Sequence, residues 1–372
     1  MLLKNAQVFY EDKLQKLDIE LEGDRIKAIA PAIQGDGQDL SDCLVIPGLV
    51  DIHSHGCKGH DFCTATDPEM DEMCNHYANN GVTAVAATGM TLSREALLEI
   101  FGRIGRRAQA GTPGAQILGI NMEGPFLSEE KKGAHDPQYI AFPSAALLRE
   151  LNAACGGRIL LVDFSPSVPG AMDFIRELKD EVVLSLAHTP ADYDTAMEAI
   201  QAGASNVTHL FNAMQPFAHR APGLIGAAFD SDVTAELICD GIHIHPAVIR
   251  TAFKVLGKRA VLISDSMCAA GMPDGQYTLG GLDVTVENRK AFLKDGTIAG
   301  STINVYEGMV NAVRFGVPLE LAIHAATAAP ARAVRRQATH GHLLPGRRAD
   351  LVVLARDSLA IRQVIIGGAV HG

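Results

Sequence analysis

Hydrophobic and polar residues alternate at both ends of the chain and group into longer blocks between them. In KLDIELEGDRIKAIA the alternation runs on both sides of Gly23-Asp24, which predicts a β-hairpin with a tight turn. The tail, RRADLVVLARDSLAIRQVIIGG, carries two further strand-like runs. An isolated hairpin is marginal in water, so the two ends are expected to combine into one small β-sandwich domain built from residues 1–46 and 343–372.

Over residues 47–342, short apolar runs alternate with amphipathic helical stretches such as DPEMDEMCNHYANN and ADYDTAMEAIQAG. The runs predict strands ending near His53, Thr88, Glu123, Ser165, His188, His209, Asp240 and Asp265. Strands joined this way by crossovers spell an α/β fold, a TIM-like (β/α)8 barrel whose C-terminal strand ends converge on the functional site. The Gly-rich segment MPDGQYTLGGLDVTVENRKAFLKDGTIAG predicts a hairpin insertion over the barrel mouth, near residues 272–300. A length of 372 residues accommodates such a barrel with a small addition.

Charge narrows the range of partners. The formal net charge is -11 with no long run of Lys or Arg, which argues against nucleic acid, since duplex binding rests on clustered cations. An anionic substrate would need a local cationic pocket. The opening MLLKNAQVFYEDKLQK lacks the apolar core of a signal peptide, and no apolar stretch approaches a bilayer span. A soluble, cytoplasmic protein without a membrane partner is expected. Seven cysteines without a CxxC pair suit reduced thiols. Cys57 and Cys63 follow His55 closely enough to approach a metal, although ordinary loop thiols are the plainer reading.

The chemistry sits where apolar runs stop. His53 and His55 in LVDIHSHG, Glu123 in NMEGPF, His188 in LSLAHT, His209 in NVTHLFNAM and Asp265 in VLISDS each close a strand and open a turn. Imidazoles and carboxylates gathered there suit zinc, with iron, cobalt or manganese as alternatives, at one or two ions per chain. Side chains two apart share one side of a strand, so His53 and His55 can share an ion. A Glu before Gly124-Pro125 points a carboxylate into the mouth, where it can bridge two ions. Singly, each residue has a bland reading: surface histidines for the HxH pair, satisfied core histidines for His188 and His209, helix caps for Glu123 and Asp265. Together they weigh against it. Asp265 beside a metal-activated water can take a proton and return it.

PGLVDIHSHG, MEGPF with KKGAH, LAHT, THLFNAM with PFAHRAPG, CDGIH, SDSMCAAGMPDG, GTIAGST and LPGRRADLVVL occur in this order through nearly the whole chain. In this set the chain resembles the N-acetylglucosamine-6-phosphate deacetylase family of the amidohydrolase superfamily. The resemblance implies hydrolysis of an acetamide on an amino-sugar phosphate, with Glu123, His188 and His209 on the principal metal and Asp265 as acid/base. It implies a second ion at His53 and His55, because similar enzymes with amides there work with one. It also places Ala134 and His135 of KKGAH at the acetyl group, Asn212 and Ala213 near the sugar, and Arg220, Asp240 and His243 toward hydroxyl and phosphate groups. Ile298, Ala299 and Gly300 would border the substrate. In similar enzymes the Arg-bearing loop reaches the neighbouring subunit's site, which implies a homodimer. Ser266 departs from the family's usual Ala.

Three alternatives stay open at this point. One is a deacetylase for the galactosamine epimer. Another is an amidohydrolase for cyclic amides, which usually supplies a bridging lysine from the fourth strand, where LLVDFSPS has none. The third is a metal-free barrel scaffold, which predicts lost ligands.

Overall fold

The alternating segments at the two chain ends meet in one eight-stranded sheet. In the computed structural model, which describes residues 1–372, the sheet takes Leu2–Tyr10, Lys13–Glu22, Arg25–Ala30, Gln38–Asp39 and Cys43–Pro47 from the N-terminal side. Leu351–Ala355, Ile361–Ile366 and Ala369–His371 come from the C-terminal side. Cys43–Pro47 joins the halves, pairing with Leu2–Tyr10 on one edge and Leu351–Ala355 on the other. The strands enclose a core of their own, with Leu3, Val8, Ile19 and Ile26 packed against Leu351, Val353 and Ile365. The turn expected at Gly23-Asp24 lies between paired strands, and Gly23 has φ +58°.

The barrel begins immediately afterwards, at a residue that only glycine can fill: a Cβ on Gly48 would run into the Thr83 side chain. Its strands are β1 (Leu49–Ser54), β2 (Val82–Gly89), β3 (Gln116–Glu123), β4 (Ile159–Phe164), β5 (Val183–Leu186), β6 (Asn206–Val207), β7 (Thr234–Ile238) and β8 (Ala260–Ile263). Each pairs in parallel with the next. A bridge between Ser54 and Ser266 closes the ring, with the Asp265 N–H donating to His53 O at 2.9 Å and the His55 N–H to Ser266 O at 2.8 Å. The hydroxyl at Ser266 has a structural role here, because it bonds Ser54 Oγ at 2.8 Å and Gly56 O at 3.0 Å across the seam.

Helices follow the strands: α1 (Asp67–Asn79), α2 (Arg94–Ala110), α3 (Ala145–Ala154), α4 (Ala171–Leu178), α5 (Tyr193–Ala202), α6 (Gly223–Phe229), α7 (Pro246–Leu256) and α8 (Val305–Arg314). In α1 the cause is visible: Thr66 and Glu69 form a capping box, and Met70, Met73, Cys74 and Tyr77 make one apolar stripe. These stripes pack on the strands in an 81-residue apolar cluster. Two further helices, α9 (Leu319–Ala326) and α10 (Ala328–Ala333), lead back toward the terminal sheet. No helix is long and apolar enough to cross a membrane.

Two expectations shift in detail. The insertion after β8 is a three-stranded meander, Gly275–Leu279, Leu282–Glu287 and Lys290–Phe292, rather than one hairpin. The last four barrel strands stop at Leu186, Val207, Ile238 and Ile263, two residues short of His188, His209, Asp240 and Asp265. At three of these the backbone turns left-handed, with φ +43° at His188, +29° at His209 and +49° at Asp265. That conformation breaks the ladder and costs non-glycine residues energy, and such residues cluster at functional sites.

Candidate metal centre and substrate pocket

The left-handed turns deliver their side chains to one point. Glu123 Oε1, at the end of β3, lies 3.1 Å from His188 Nε2 and 3.2 Å from His209 Nε2, and the two nitrogens are 3.1 Å apart. His53 Nε2 approaches the same oxygen at 3.5 Å. The other carboxylate oxygen, Oε2, faces His55 Nε2 and His135 Nε2, each at 3.3 Å. Asp265 Oδ1 completes the group at 3.4 Å from His55 Nε2 and 3.5 Å from His53 Nε2. A glycine must follow Glu123, since Gly124 has φ +79° and a Cβ there would strike the Thr91 hydroxyl.

These donors fit a divalent ion. Ligand atoms bound at about 2.0–2.1 Å around a tetrahedral ion stand roughly 3.3 Å apart, close to the triangle formed by Glu123, His188 and His209. A second set, His53, His55 and Asp265, has its ligand atoms gathered in the same way. Glu123 touches both sets, with Oε1 facing His188, His209 and His53 and Oε2 facing His55. Both ring nitrogens of His53 are buried without a hydrogen bond, which is costly unless a cation compensates. His188 is oriented through Nδ1, 2.9 Å from Lys131 O, which leaves Nε2 for coordination.

Electrostatics point the same way. Burial opposes charge on Glu123, yet the surrounding imidazoles, His53 and His135 foremost, hold its carboxyl well below the usual range. Burial likewise disfavours the His55 cation, but Asp265 and Glu123 raise that imidazole to about 9. His135 behaves differently. Burial pushes it down to about 4, against the pull of Glu123, so its ring is neutral. The Thr91 N–H donates to His135 Nδ1 at 3.3 Å, which places the ring proton on Nε2, facing the metal carboxylate.

The pocket over this centre has a volume of about 290 Å³. Ala134, His135, Asn212, Ala213, His243, Thr297, Ile298 and Gly300 line it with the metal set, and Leu279 of the meander and Met90 add apolar wall. His243 is held from behind: Asp240 Oδ2 accepts from its Nδ1 at 2.6 Å, while Oδ1 accepts from the backbone N–H groups of Ile242 and His243 at 2.8 Å each. Asn212 uses its backbone N–H and its side-chain amide on His209 O, at 3.0 and 3.2 Å.

Three expected substrate residues do not line this pocket. Asp240 stands behind His243. Ala299 is fully buried, its N–H bonded to Ala291 O. Arg220 is exposed, its Nη1 donating to His219 Nε2 at 2.6 Å, beside a separate cleft next to Pro190 and Tyr193. No Lys or Arg of the chain lines its own catalytic pocket. Cys57 and Cys63 stay outside both donor sets, and burial raises both thiols, so neither offers a thiolate.

The sequence reading missed a polar layer beneath the metal centre. Asp163, Glu236 and Asp51 are fully buried, as are Ser185, Asn206 and Thr208. Thr208 Oγ1 donates to Asp163 Oδ1 at 2.7 Å and Asn206 Nδ2 to Glu236 Oε1 at 2.8 Å. His53 Nδ1 looks across the barrel at Glu236 Oε2, 3.4 Å away, and Asp163 Oδ2, 3.8 Å away. Burial and neighbouring carboxylates push Asp163 up to about 7. The available signal was a charged residue inside an apolar strand, as in ILLVDF and TAELI.

The Amidohydrolase family profile matches residues 44–370. N-acetylglucosamine-6-phosphate deacetylase of Vibrio furnissii is 34% identical over 361 residues, covering 95% of this chain and 90% of the relative. N-acetylgalactosamine-6-phosphate deacetylase of Escherichia coli O157:H7 is 37% identical over 328 residues, covering 87% of each. A solved structure of N-acetyl-D-glucosamine-6-phosphate deacetylase from Mycobacterium smegmatis, in complex with N-acetyl-D-glucosamine-6-phosphate, superposes with a TM-score of 0.94 at 37% identity, covering 100% of this chain and 98% of that one. Fold, donor set and relatives agree: the chain belongs to the amidohydrolase family, among the N-acetylglucosamine-6-phosphate deacetylases.

Proposed function

We propose that the chain hydrolyses the acetamide of N-acetyl-D-glucosamine 6-phosphate, giving D-glucosamine 6-phosphate and acetate, in the cytoplasm and as a homodimer. The observation that carries this reading is the convergence of Glu123, His188 and His209 within 3.2 Å of one another, with Asp265 and His135 facing the same pocket.

Glu123, His188 and His209 would hold the principal ion, most simply zinc, and His53 and His55 a second. When bound, such an ion supplies Lewis acidity, bringing the pKa of water down to roughly 7. Asp265 takes the proton of the attacking water through its carboxylate and returns it to the amine nitrogen as the carbon–nitrogen bond breaks. His135 donates its Nε2–H to the acetyl oxygen as charge develops there, and its neutral ring keeps that proton in place. His243, fixed by Asp240, addresses a sugar hydroxyl, and the Asn212–Ala213 turn and Ile298–Gly300 enclose the ring. Arg220 supplies the phosphate contact from the neighbouring subunit, which accounts for a pocket without a cation of its own.

The galactosamine epimer is the second reading, favoured by the 37% identity to the Escherichia coli enzyme. Acetate release from both epimeric sugar phosphates, measured with the metal content of the same sample, is the test. Release from the glucosamine form at least tenfold faster supports the first reading, the reverse order supports the second, and no release from either by metal-loaded protein overturns both.

A further inference from the structure

At the opposite end of the barrel lies a cavity of about 770 Å³, between the first residues of β3 and the terminal sheet. Its wall includes Arg25, Arg158, Arg336, Arg347 and Arg348, against a single carboxylate, Asp24. In a chain with 43 acidic and 32 basic residues, such a concentration has to be built.

The guanidinium groups are also underemployed. Two exposed arginines elsewhere, Arg94 and Arg149, are paired with glutamates. Here Arg348 is paired with Asp350 at 3.0 Å, and Arg25 with Asp24 at 3.6 Å and with Gly346 O at 3.2 Å. Arg158, Arg336 and Arg347 are half-buried and their side chains make no hydrogen bond or ion pair. Their stems are nonetheless rigidly placed. Arg347 O accepts from Ile26 N at 2.9 Å, Arg158 O accepts from Ile120 N at 2.8 Å, and the Arg336 N–H donates to Ala331 O at 2.7 Å. The field is felt locally: burial, Arg348 and Arg336 together push His340 down to about 4, and this neutral ring sits 3.2 Å from Gln116 Oε1.

We infer that this cavity is a second anion site, separate from the catalytic pocket, which takes a small molecule bearing one or more phosphate groups. Planar guanidinium forks held on fixed backbone match phosphate oxygens in charge and in geometry. The cavity cannot be the phosphate subsite of the reaction. β3 runs eight residues from Gln116 in its wall to Glu123 at the metal centre, and at about 3.3 Å per residue the two ends stand roughly 23 Å apart. Because barrel and terminal domain both contribute to the wall, an anion bound there ties the two together.

Calorimetric titration of the metal-loaded enzyme with fructose 1,6-bisphosphate, and separately with inorganic phosphate, tests this. Saturable binding of either probe at one per chain is expected, with a raised melting temperature. It should persist in Arg220→Ala and weaken tenfold or more in Arg158→Gln/Arg336→Gln, whose kcat/KM on the acetylated sugar phosphate stays within twofold of the parent. Tighter binding of the bisphosphate points to a sugar-phosphate metabolite, and tighter binding of inorganic phosphate to the free ion. If the double variant unfolds, Arg347→Gln alone should still weaken binding at least threefold. Undiminished binding in a folded variant, binding lost with Arg220→Ala, or no saturable binding at all overturns the site. The binding results do not depend on the deacetylase reading, which acetate release tests separately; only the kcat/KM comparison does.

Discussion

The two ends of the barrel solve opposite electrostatic problems. At the mouth, carboxylates and imidazoles crowd within hydrogen-bonding distance and no Lys or Arg lines the pocket, so the missing charge there is positive. At the floor, arginines gather with one carboxylate among them, and the missing charge is negative. The backbone differs as well. His188, His209 and Asp265 at the mouth sit on left-handed turns beyond the strand ends, whereas the floor arginines Arg158, Arg336 and Arg347 spring from backbone held by ordinary hydrogen bonds. Such placement leaves chemistry to one end of each strand and stability to the other.

Substitutions at the mouth should therefore remove chemistry first. His188→Ala or His209→Ala is expected to abolish tight metal binding and to lower activity by about a thousandfold or more, since several kcal/mol of charge stabilisation depend on the ion. Elemental analysis of the purified variants checks this, and a fully metallated, active His188→Ala enzyme would refute the principal site. His53→Ala should cost less, because the triangle of Glu123, His188 and His209 survives it.

Asp265→Asn should keep its metal yet lose turnover by about a hundredfold or more, the usual contribution of a positioned acid/base. Steady-state kinetics beside metal analysis separates this from a binding defect. Near-normal turnover in a folded variant would remove Asp265 from the proton path.

Arg220→Ala tests whether the mouth borrows its cation. KM for the phosphorylated sugar should rise by roughly tenfold or more, as loss of a charged hydrogen bond implies, while activity on unphosphorylated N-acetylglucosamine barely changes. Mixed dimers of Arg220→Ala with Asp265→Asn subunits should regain activity, since one site then holds both groups. Verified heterodimers without activity would confine Arg220 to its own subunit.

The smallest effect belongs to the floor. Asp12, in the terminal sheet's first turn, meets Lys258 Nζ at 2.6 Å and His324 Nδ1 at 2.8 Å on the barrel. Burial raises the Asp12 carboxyl, but Lys258 and His324 together outweigh it and hold it below 3.8. Its stabilisation is thus present above that value and fades as pH falls through the lower folded one. The pair is largely exposed and screened, so Asp12→Asn should cost less than about 1 kcal/mol at pH 7. Urea denaturation at pH 7 and pH 3 should show the gap narrowing at the lower pH, and a gap that widens would contradict the assignment.

The sequence by itself determined the elements and brought forward His53, His55, Glu123, His188, His209 and Asp265 as candidate donors. Period-two alternation around Gly23-Asp24 and in the tail specifies half-buried strands, because side chains of a strand alternate faces. Apolar runs closed by His53, Glu123, His188, His209 and Asp265 place polar side chains at or just beyond the ends of strands, where a parallel barrel brings them together. What the tertiary structure decided lies between elements far apart in the chain. Asp163 and Glu236 look like ordinary strand residues until barrel closure turns both toward His53. Arg220 lies 11 residues beyond His209, yet the fold holds it outside the pocket. The arginines of the floor come from the strand Arg25–Ala30, the residue before β4 and the segment after α10, and no local pattern marks them as neighbours. Periodicity encodes which face of one element is buried, whereas a charge cluster depends on how several elements are set against one another, and that is settled only when the core packs.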